Sequence, residues 1–278
     1  MSKPLPLMLV LVGHFDDDMT ALIQACHCSL TAFELSFAFV YGILMPGTLF
    51  LIPSPLGEGK LSTVIPQDVK ACVAQLDSFI VEHPKTARHF LKLVCTKKPL
   101  QELNMQILDE HTKKEELDAL LAPLLNGQDV GLISEAGCPA VADPGSDLVK
   151  LAHKKGIRVV PLVGPSSILL ALMASGLGGQ RFVFHGYLPV ESEKQAKKIV
   201  QIEKASRSGN ETQIFIETPY RNMKLFEALL LHCREDTLLC LATDITLETE
   251  SILTKSIGSW KKTAFDIGKR PTVFLIKG

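Results

Sequence analysis

No stretch of this 278-residue chain reads GxGxxG, CxxC or HExxH, and each gap removes a chemistry. Without the first, a dinucleotide has no glycine turn on which to lay its pyrophosphate. Without the others, a thioredoxin-like redox pair and a zincin metal centre lack their ligands. Cys26-His27-Cys28 is the one compact ligand cluster, and no second half of a zinc site follows at usable spacing. The seven cysteines are odd in number and unpatterned, as expected of reduced thiols in a cytoplasmic protein rather than a disulfide framework. Charge of either sign is not in excess: the formal net charge is -1, so no global field draws the chain to nucleic acid or to a membrane. With one Trp and three Tyr, the sequence has no row of aromatics for stacking single-stranded bases. Long apolar runs are missing too. The stretch from Leu30 to Leu44 contains Glu34 and is too short to span a bilayer. The run before it ends in three aspartates, Asp16 to Asp18, with no small-residue cleavage site, so it does not read as a signal peptide. Gly59-Lys60 is followed by Leu61, where a phosphate loop needs Ser or Thr to hold magnesium; this excludes a phosphotransferase.

What the chain does have is apolar material, 46% of its residues, arranged in alternating short and long patterns. From Thr48 to Gly176, strand-like runs such as TLFLIP, SFIVEH, DVGLIS and IRVVPLV alternate with helix-like segments, among them PKTARHFLKLV and GSDLVKLAHKKG. That alternation predicts an α/β domain with a largely parallel sheet. GLGGQ at 176–180 is a turn-rich break, and beyond it the pattern predicts a second α/β domain with a mixed sheet. The expected division is therefore a first domain over 45–178 and a second over 179–278. Residues 1–44 read as an extension of doubtful role, the functional chain beginning at Met45.

Three punctuated loops follow strands of the first domain: PSPLGEGK, SEAGCPAVADPG and VGPSSI. In an open parallel sheet such loops share one edge, beyond the carboxyl ends of the strands, where ligands bind. Gly and Pro let backbone approach a ligand with no Cβ between. Any one of these loops could be an ordinary turn; three on one edge point to a common ligand site. Cys138 lies in the middle loop with no His partner in sequence.

The set GTLFLIPSPLGEG, GLISEAGCPAVADPGSDLV, VVPLVGPSSILLALMASGL, FHGYLP and IFIETPYR resembles the tetrapyrrole methylase superfamily, and within it the rRNA small subunit methyltransferase I branch. The resemblance runs from Gly47 to the end. It implies two α/β domains with S-adenosylmethionine in the cleft between them, usually in a homodimer. Carried over by position, it places cofactor contacts at Leu56, at Ala136, Gly137, Cys138 and Val141, and at Ser166 and Ser167. In the second domain it places them at Glu217, Thr218, Ile245, Pro271 and Thr272. The chain departs from the branch in reading GEGKLST for GNLGD, VEHPK for the acidic AEDTR motif, EAG for DAG and TPYR for SPHR. The implied activity is 2'-O-methylation of a ribose in 16S rRNA by a cytoplasmic enzyme without a metal or a membrane partner. Methylation of a tetrapyrrole or another small molecule, and cofactor binding without turnover, remain open.

Methyl transfer is a displacement at carbon, so positioning carries much of the rate, and a ribose hydroxyl acceptor adds a use for a base or a cation. Glu82, Arg221 and His185 are the candidates. For His185, on an apolar strand, a hydrogen-bonded packing role is equally open. So is a structural ion pair for Arg221. Asp143 can cap the following helix. Lys194, Lys197, Lys198, Lys204 and Arg207 lie along one long helix, whose solvated face accounts for them, with Lys60, Lys85, Arg88 and Lys92 elsewhere; an RNA would use either group.

Overall fold

The computed structural model describes residues 45–278, and Pro46–Gly278 form one compact unit. The expectation that the functional chain begins at Met45 concerns residues outside those described.

The first sheet is built from β1 (Thr48–Ile52), β2 (Ser78–Val81), β3 (Asn104–Ile107), β4 (Val130–Ile133) and β5 (Arg158–Pro161). Its order is β3-β2-β4-β1-β5, every pair parallel. Because β2 and β4 are buried along their whole length, they read as continuous apolar runs rather than alternating ones. Successive side chains serve opposite faces. Phe79 and Val81 pack with α1 (Gln67–Val73) and α2 (Pro84–Val94) on one side. Ile80, Val130 and Leu132 pack on the other with the broken helical stretch 117–125 and α3 (Gly145–Lys154). The break in that stretch falls at Leu121, with Pro123 in the first turn of the piece that follows, and Gly127 closes it at φ 78°. At Gly131 the packing leaves no room for a side chain: an added Cβ would lie 2.4 Å from Ile52 Cδ1.

The chain then crosses on α4 (Ser167–Ser175) to the second sheet. That sheet comprises β6 (Phe182–Tyr187), β7 (Thr212–Ile216), β8 (Leu238–Thr243), β9 (Ser251–Ser256) and β10 (Thr272–Lys277), ordered β6-β7-β10-β8-β9. β6 and β7 are parallel and the other pairs antiparallel, so the sheet is mixed, as expected. Its outer face carries α5 (Ser192–Gly209) and α6 (Asn222–His232) over a core that includes Phe215, Phe274 and Trp260. The inner face packs Ile214, Cys240, Ala242, Val273 and Leu275 against Ala171 and Leu172 of α4. The last helix before the turn-rich break thus packs on the second sheet. SILLALMAS is apolar on all sides, but only Ala171, Leu172 and Ser175 are buried; Leu169 and Met173 stay exposed, at 51% and 78%.

Candidate ligand cavity between the two sheets

In the order β3-β2-β4-β1-β5 the chain leaves β1 towards β2 on one side and leaves β4 towards β5 on the other. The loops after β1 and β4 therefore diverge at the centre of the sheet and open a crevice there. They are tied across it. Ser54 N–H donates to Gly137 O at 2.9 Å, and Gly137 N–H returns a bond to Ser54 O at 3.0 Å. The Ser54 hydroxyl donates to Ser134 O at 2.7 Å and the Ser134 hydroxyl to Gly137 O at 2.8 Å. Both backbone groups of Gly137 are thus spent on structure, and its φ of 75° is the left-handed conformation that suits glycine. A Cβ there would meet Leu56 Cδ2 at 3.4 Å and Pro165 O at 3.7 Å.

Further along the same loop Ala140 and Ala142 also adopt positive φ, 63° and 62°, at a cost of about 1 kcal/mol each. Asp143 holds this shape: its Oδ1 accepts from Ala140 N–H and Gly145 N–H, both at 2.8 Å. Asp143 therefore does satisfy the start of α3, and it also lines the cavity. Burial pushes its carboxyl up, against the pull of those two amide bonds.

The cavity has a volume of about 460 Å³, within the usual range for small-molecule sites. From the first sheet's edge it is lined by Leu56, Glu82, Glu135, Ala136, Val141 and Ser167. Its opposite wall comes from the strand ends that meet this edge in the second sheet: the carboxyl ends of β6, β7 and β8 and the start of β10. They contribute Tyr187, Glu217, Asp244, Ile245, Pro271 and Thr272. Leu247, just after β8, closes against the loop after β1, where a Cβ on Gly57 would be 2.9 Å from its Cδ1.

Among the described residues five carboxylates line this cavity, Glu82, Glu135, Asp143, Glu217 and Asp244, and no Lys, Arg or His does. Two of them are neutralised from behind. Glu217, whose side chain is 1% exposed, accepts on one oxygen from Arg221 Nε at 2.9 Å, Arg221 Nη2 at 2.6 Å and the Thr218 N–H and hydroxyl. Asp244 lies 3.7 Å from Arg270 and accepts from Thr249 at 2.9 Å. Glu82, Glu135 and Asp143 have no cation within ion-pair distance among the described residues. Burial, then the neighbouring Glu135, pushes the Glu82 carboxyl above the ordinary range. The arrangement favours a cationic ligand and disfavours phosphate.

Of the residues anticipated from sequence, the fold brings Leu56, Glu82, Ala136, Val141, Ser167, Glu217, Ile245, Pro271 and Thr272 to this one cavity. Others sit beside it. Ser166 caps α4, its hydroxyl accepting from Leu169 N–H at 3.4 Å. Cys138 donates its thiol to Pro165 O at 3.5 Å, and burial pushes its pKa up, so it stays protonated. Gly137, Thr218 and Arg221 support lining groups rather than line the cavity themselves. His185 turns away to Gln213, with Nε2 2.6 Å from its Oε1. The residues of β6 that face the cavity are instead Phe184 and Tyr187. In a regular strand these two would point to opposite faces. A register shift between them, at Gly186 with φ 63°, adds one residue and restores them to the same face. Asp244 and Glu135 were also missed, although an acid directly at a strand end was the available signal.

The sequence profile described as Tetrapyrrole (Corrin/Porphyrin) Methylases matches residues 62–260. Ribosomal RNA small subunit methyltransferase I of Haemophilus influenzae is 30% identical over 237 residues, which cover 84% of this chain and 80% of that protein. The protein of the same name from Vibrio cholerae is 33% identical over 208 residues, covering 73% of this chain and 67% of that one. Among solved structures, diphthine synthase superposes with a TM-score of 0.59 at 18% identity, covering 84% of this chain and 90% of that one. The methyltransferase CobJ superposes with a TM-score of 0.57 at 19% identity, covering 84% and 94%. Likeness at that identity establishes the fold alone.

Proposed function

This chain belongs to the tetrapyrrole (corrin/porphyrin) methylase family, and from that premise we propose that it is a methyltransferase that uses S-adenosylmethionine to methylate a ribose 2'-hydroxyl in small-subunit rRNA. The observation that carries the reading is the cavity lined, among the described residues, by five carboxylates and no basic side chain. A sulfonium ligand is cationic and has no phosphate, so these walls fit it and would repel a nucleotide cofactor's phosphates. Leu56, Val141 and Ile245 supply apolar contact, Ser167, Glu217 and Thr272 polar contact, and Ala136 leaves room. When bound, S-adenosylmethionine supplies an activated methyl group.

The chain's own part is to position and to move one proton. Glu82, directly after β2, meets the cavity with a raised pKa, as suits a carboxylate that accepts the proton of an incoming hydroxyl. Arg221 acts through Glu217, fixing that carboxylate's direction with two bonds to one oxygen. His185 positions β6 through Gln213. The names of the relatives support rRNA as acceptor. A carboxylate-rich tetrapyrrole would face like charges throughout the cavity, whereas an RNA needs to insert only one ribose. A homodimer in the cytoplasm completes the proposal. No helix among the described residues is long and apolar enough to cross a membrane.

The test is transfer of labelled methyl from S-adenosylmethionine to small-subunit rRNA, followed by alkaline hydrolysis. A methylated 2'-oxygen cannot attack the adjacent phosphodiester, so the label should appear in an alkali-resistant dinucleotide. Label released in mononucleotides would place the methyl on a base, and label found only in small-molecule extracts would replace RNA as the acceptor.

A further inference from the structure

Helix α2 leaves the cavity directly: Glu82 lines it, His83 precedes the helix and Pro84 is its first residue. The helix PKTARHFLKLV buries Ala87, Phe90, Leu91 and Val94 against the first sheet. On the opposite side Lys85, Arg88, His89 and Lys92 follow at intervals of three, one and three residues, which is a single stripe along the helix. All four are exposed. No acidic residue occurs in the helix, and none of the four has an ion-pair partner among the described residues. Helical spacing already puts these residues on one face, and the packing of Ala87, Phe90, Leu91 and Val94 leaves that face outward.

The other basic helix, α5, is different. Lys194 pairs with Glu191 at 2.7 Å and Lys197 with Glu193 at 2.5 Å, while Arg207 is held by Asp236 at 2.6 Å. Much of its charge is compensated on the spot, as on an ordinary solvated face. The stripe on α2 carries three Lys/Arg charges uncompensated over a rise of about 10 Å. That length matches about three successive backbone phosphates. Its flank also reaches the site, since the Thr86 hydroxyl lies 3.4 Å from Glu135 Oε2. A polyanion lying on the stripe would stay clear of the acidic walls while presenting one sugar to them.

We propose that the exposed face of α2 grips the phosphate backbone of the RNA next to the nucleotide to be methylated. The inference rests on the RNA reading given above, and the experiment separates the two. A fluorescein-labelled fragment of small-subunit rRNA is titrated with the full chain between about 50 and 200 mM salt, following anisotropy. The triple variant Lys85→Glu, Arg88→Glu, Lys92→Glu is expected to bind more than about 10-fold more weakly. Its slope of log affinity against log salt should be shallower by about 2 to 3, since three phosphate contacts are lost. The variant Lys198→Glu, Lys204→Glu on α5 should bind within about 2-fold of wild type, and both variants should retain affinity for S-adenosylhomocysteine by calorimetry. If the charge reversals impair folding, Lys85→Gln, Arg88→Gln, Lys92→Gln should give the same slope change. RNA affinity and salt slope unchanged in the α2 variants would overturn the proposal. So would equal weakening by the α5 variant, or a wild-type protein that binds no RNA. RNA binding that depends on α2 without methyl transfer supports the surface and overturns the transferase reading alone.

Discussion

The two sheets meet at one cavity and build their shares of it by different means. On the parallel side every strand ends at the same edge, and backbone sets the shape from which Leu56, Glu82, Glu135 and Val141 project: the Ser54–Gly137 bridge, the turns at Ala140 and Ala142, and the two amides gathered by Asp143. On the mixed side only β6, β7 and β8 end there. That wall consists of side chains, with Glu217 and Asp244 held from behind by Arg221 and Arg270. A wall made of backbone depends on residues that lack bulk, and a wall made of side chains depends on their partners. The first should fail sharply on adding an atom, the second gradually on removing one.

The largest effect is expected from Gly137→Asp. A Cβ there would lie in ordinary contact with Leu56 and the Pro165 carbonyl, so the strain comes from the left-handed backbone and from a carboxylate extended beside that carbonyl oxygen. Calorimetry should show S-adenosylhomocysteine affinity falling by at least about 100-fold, or about 2.7 kcal/mol. Binding within a few-fold of wild type would show that the parallel side tolerates bulk after all. A smaller effect is expected on the other wall. Arg221→Met leaves a buried Glu217 carboxylate without its cation, which should lower Tm by several degrees and weaken the ligand. Adding Glu217→Gln should recover most of the Tm and not the affinity. Recovery of neither would mean that the pair is not acting as a unit.

The smallest is a pH effect at Glu82. Its carboxyl is raised by burial and by Glu135, so the folded state holds its proton more tightly than the unfolded state. The sign follows: its ionisation lowers stability as pH rises through the folded pKa, and Glu82→Gln should melt slightly higher than wild type at pH 7. That gap should close below the unfolded value of about 4.3. Transfer should fall on acidification through the same raised pKa, and Glu82→Gln should be slow at all pH. A wild-type rate that stays flat as pH falls to the unfolded value of about 4.3 would remove Glu82 from proton transfer.

The same contrast explains what could be read from the sequence. Gly and Pro announce a backbone-built wall, so the loops after β1, β4 and β5 stood out, and the alternation of strand and helix indicated the parallel sheet. The second wall has no such punctuation. FVFHGYLP draws the eye to His185, yet one extra residue at Gly186 reverses which side chains face inward, and that shift exists only in the pairing with β7. Arg221 stands four residues from Glu217, within reach of a local reading; Arg270 and Asp244 are brought together only by the sheet. The basic stripe needed nothing beyond helical spacing, once Ala87, Phe90, Leu91 and Val94 had shown which way α2 faces.

The hydroxyl of Ser54 reaches Ser134 across 80 positions of sequence. Few of the contacts around it are local, because β1 lies beside β4 and β5 rather than beside β2. During folding, the chain must close that long loop before any part of the crevice exists, and loop closure of this kind slows the search for the native state. A nascent or partly unfolded chain therefore has no half-formed version of the cavity with which to capture ligand. Ligand binding then reports on completion of the first sheet, and by mass action any ligand present draws newly made chains towards the finished fold.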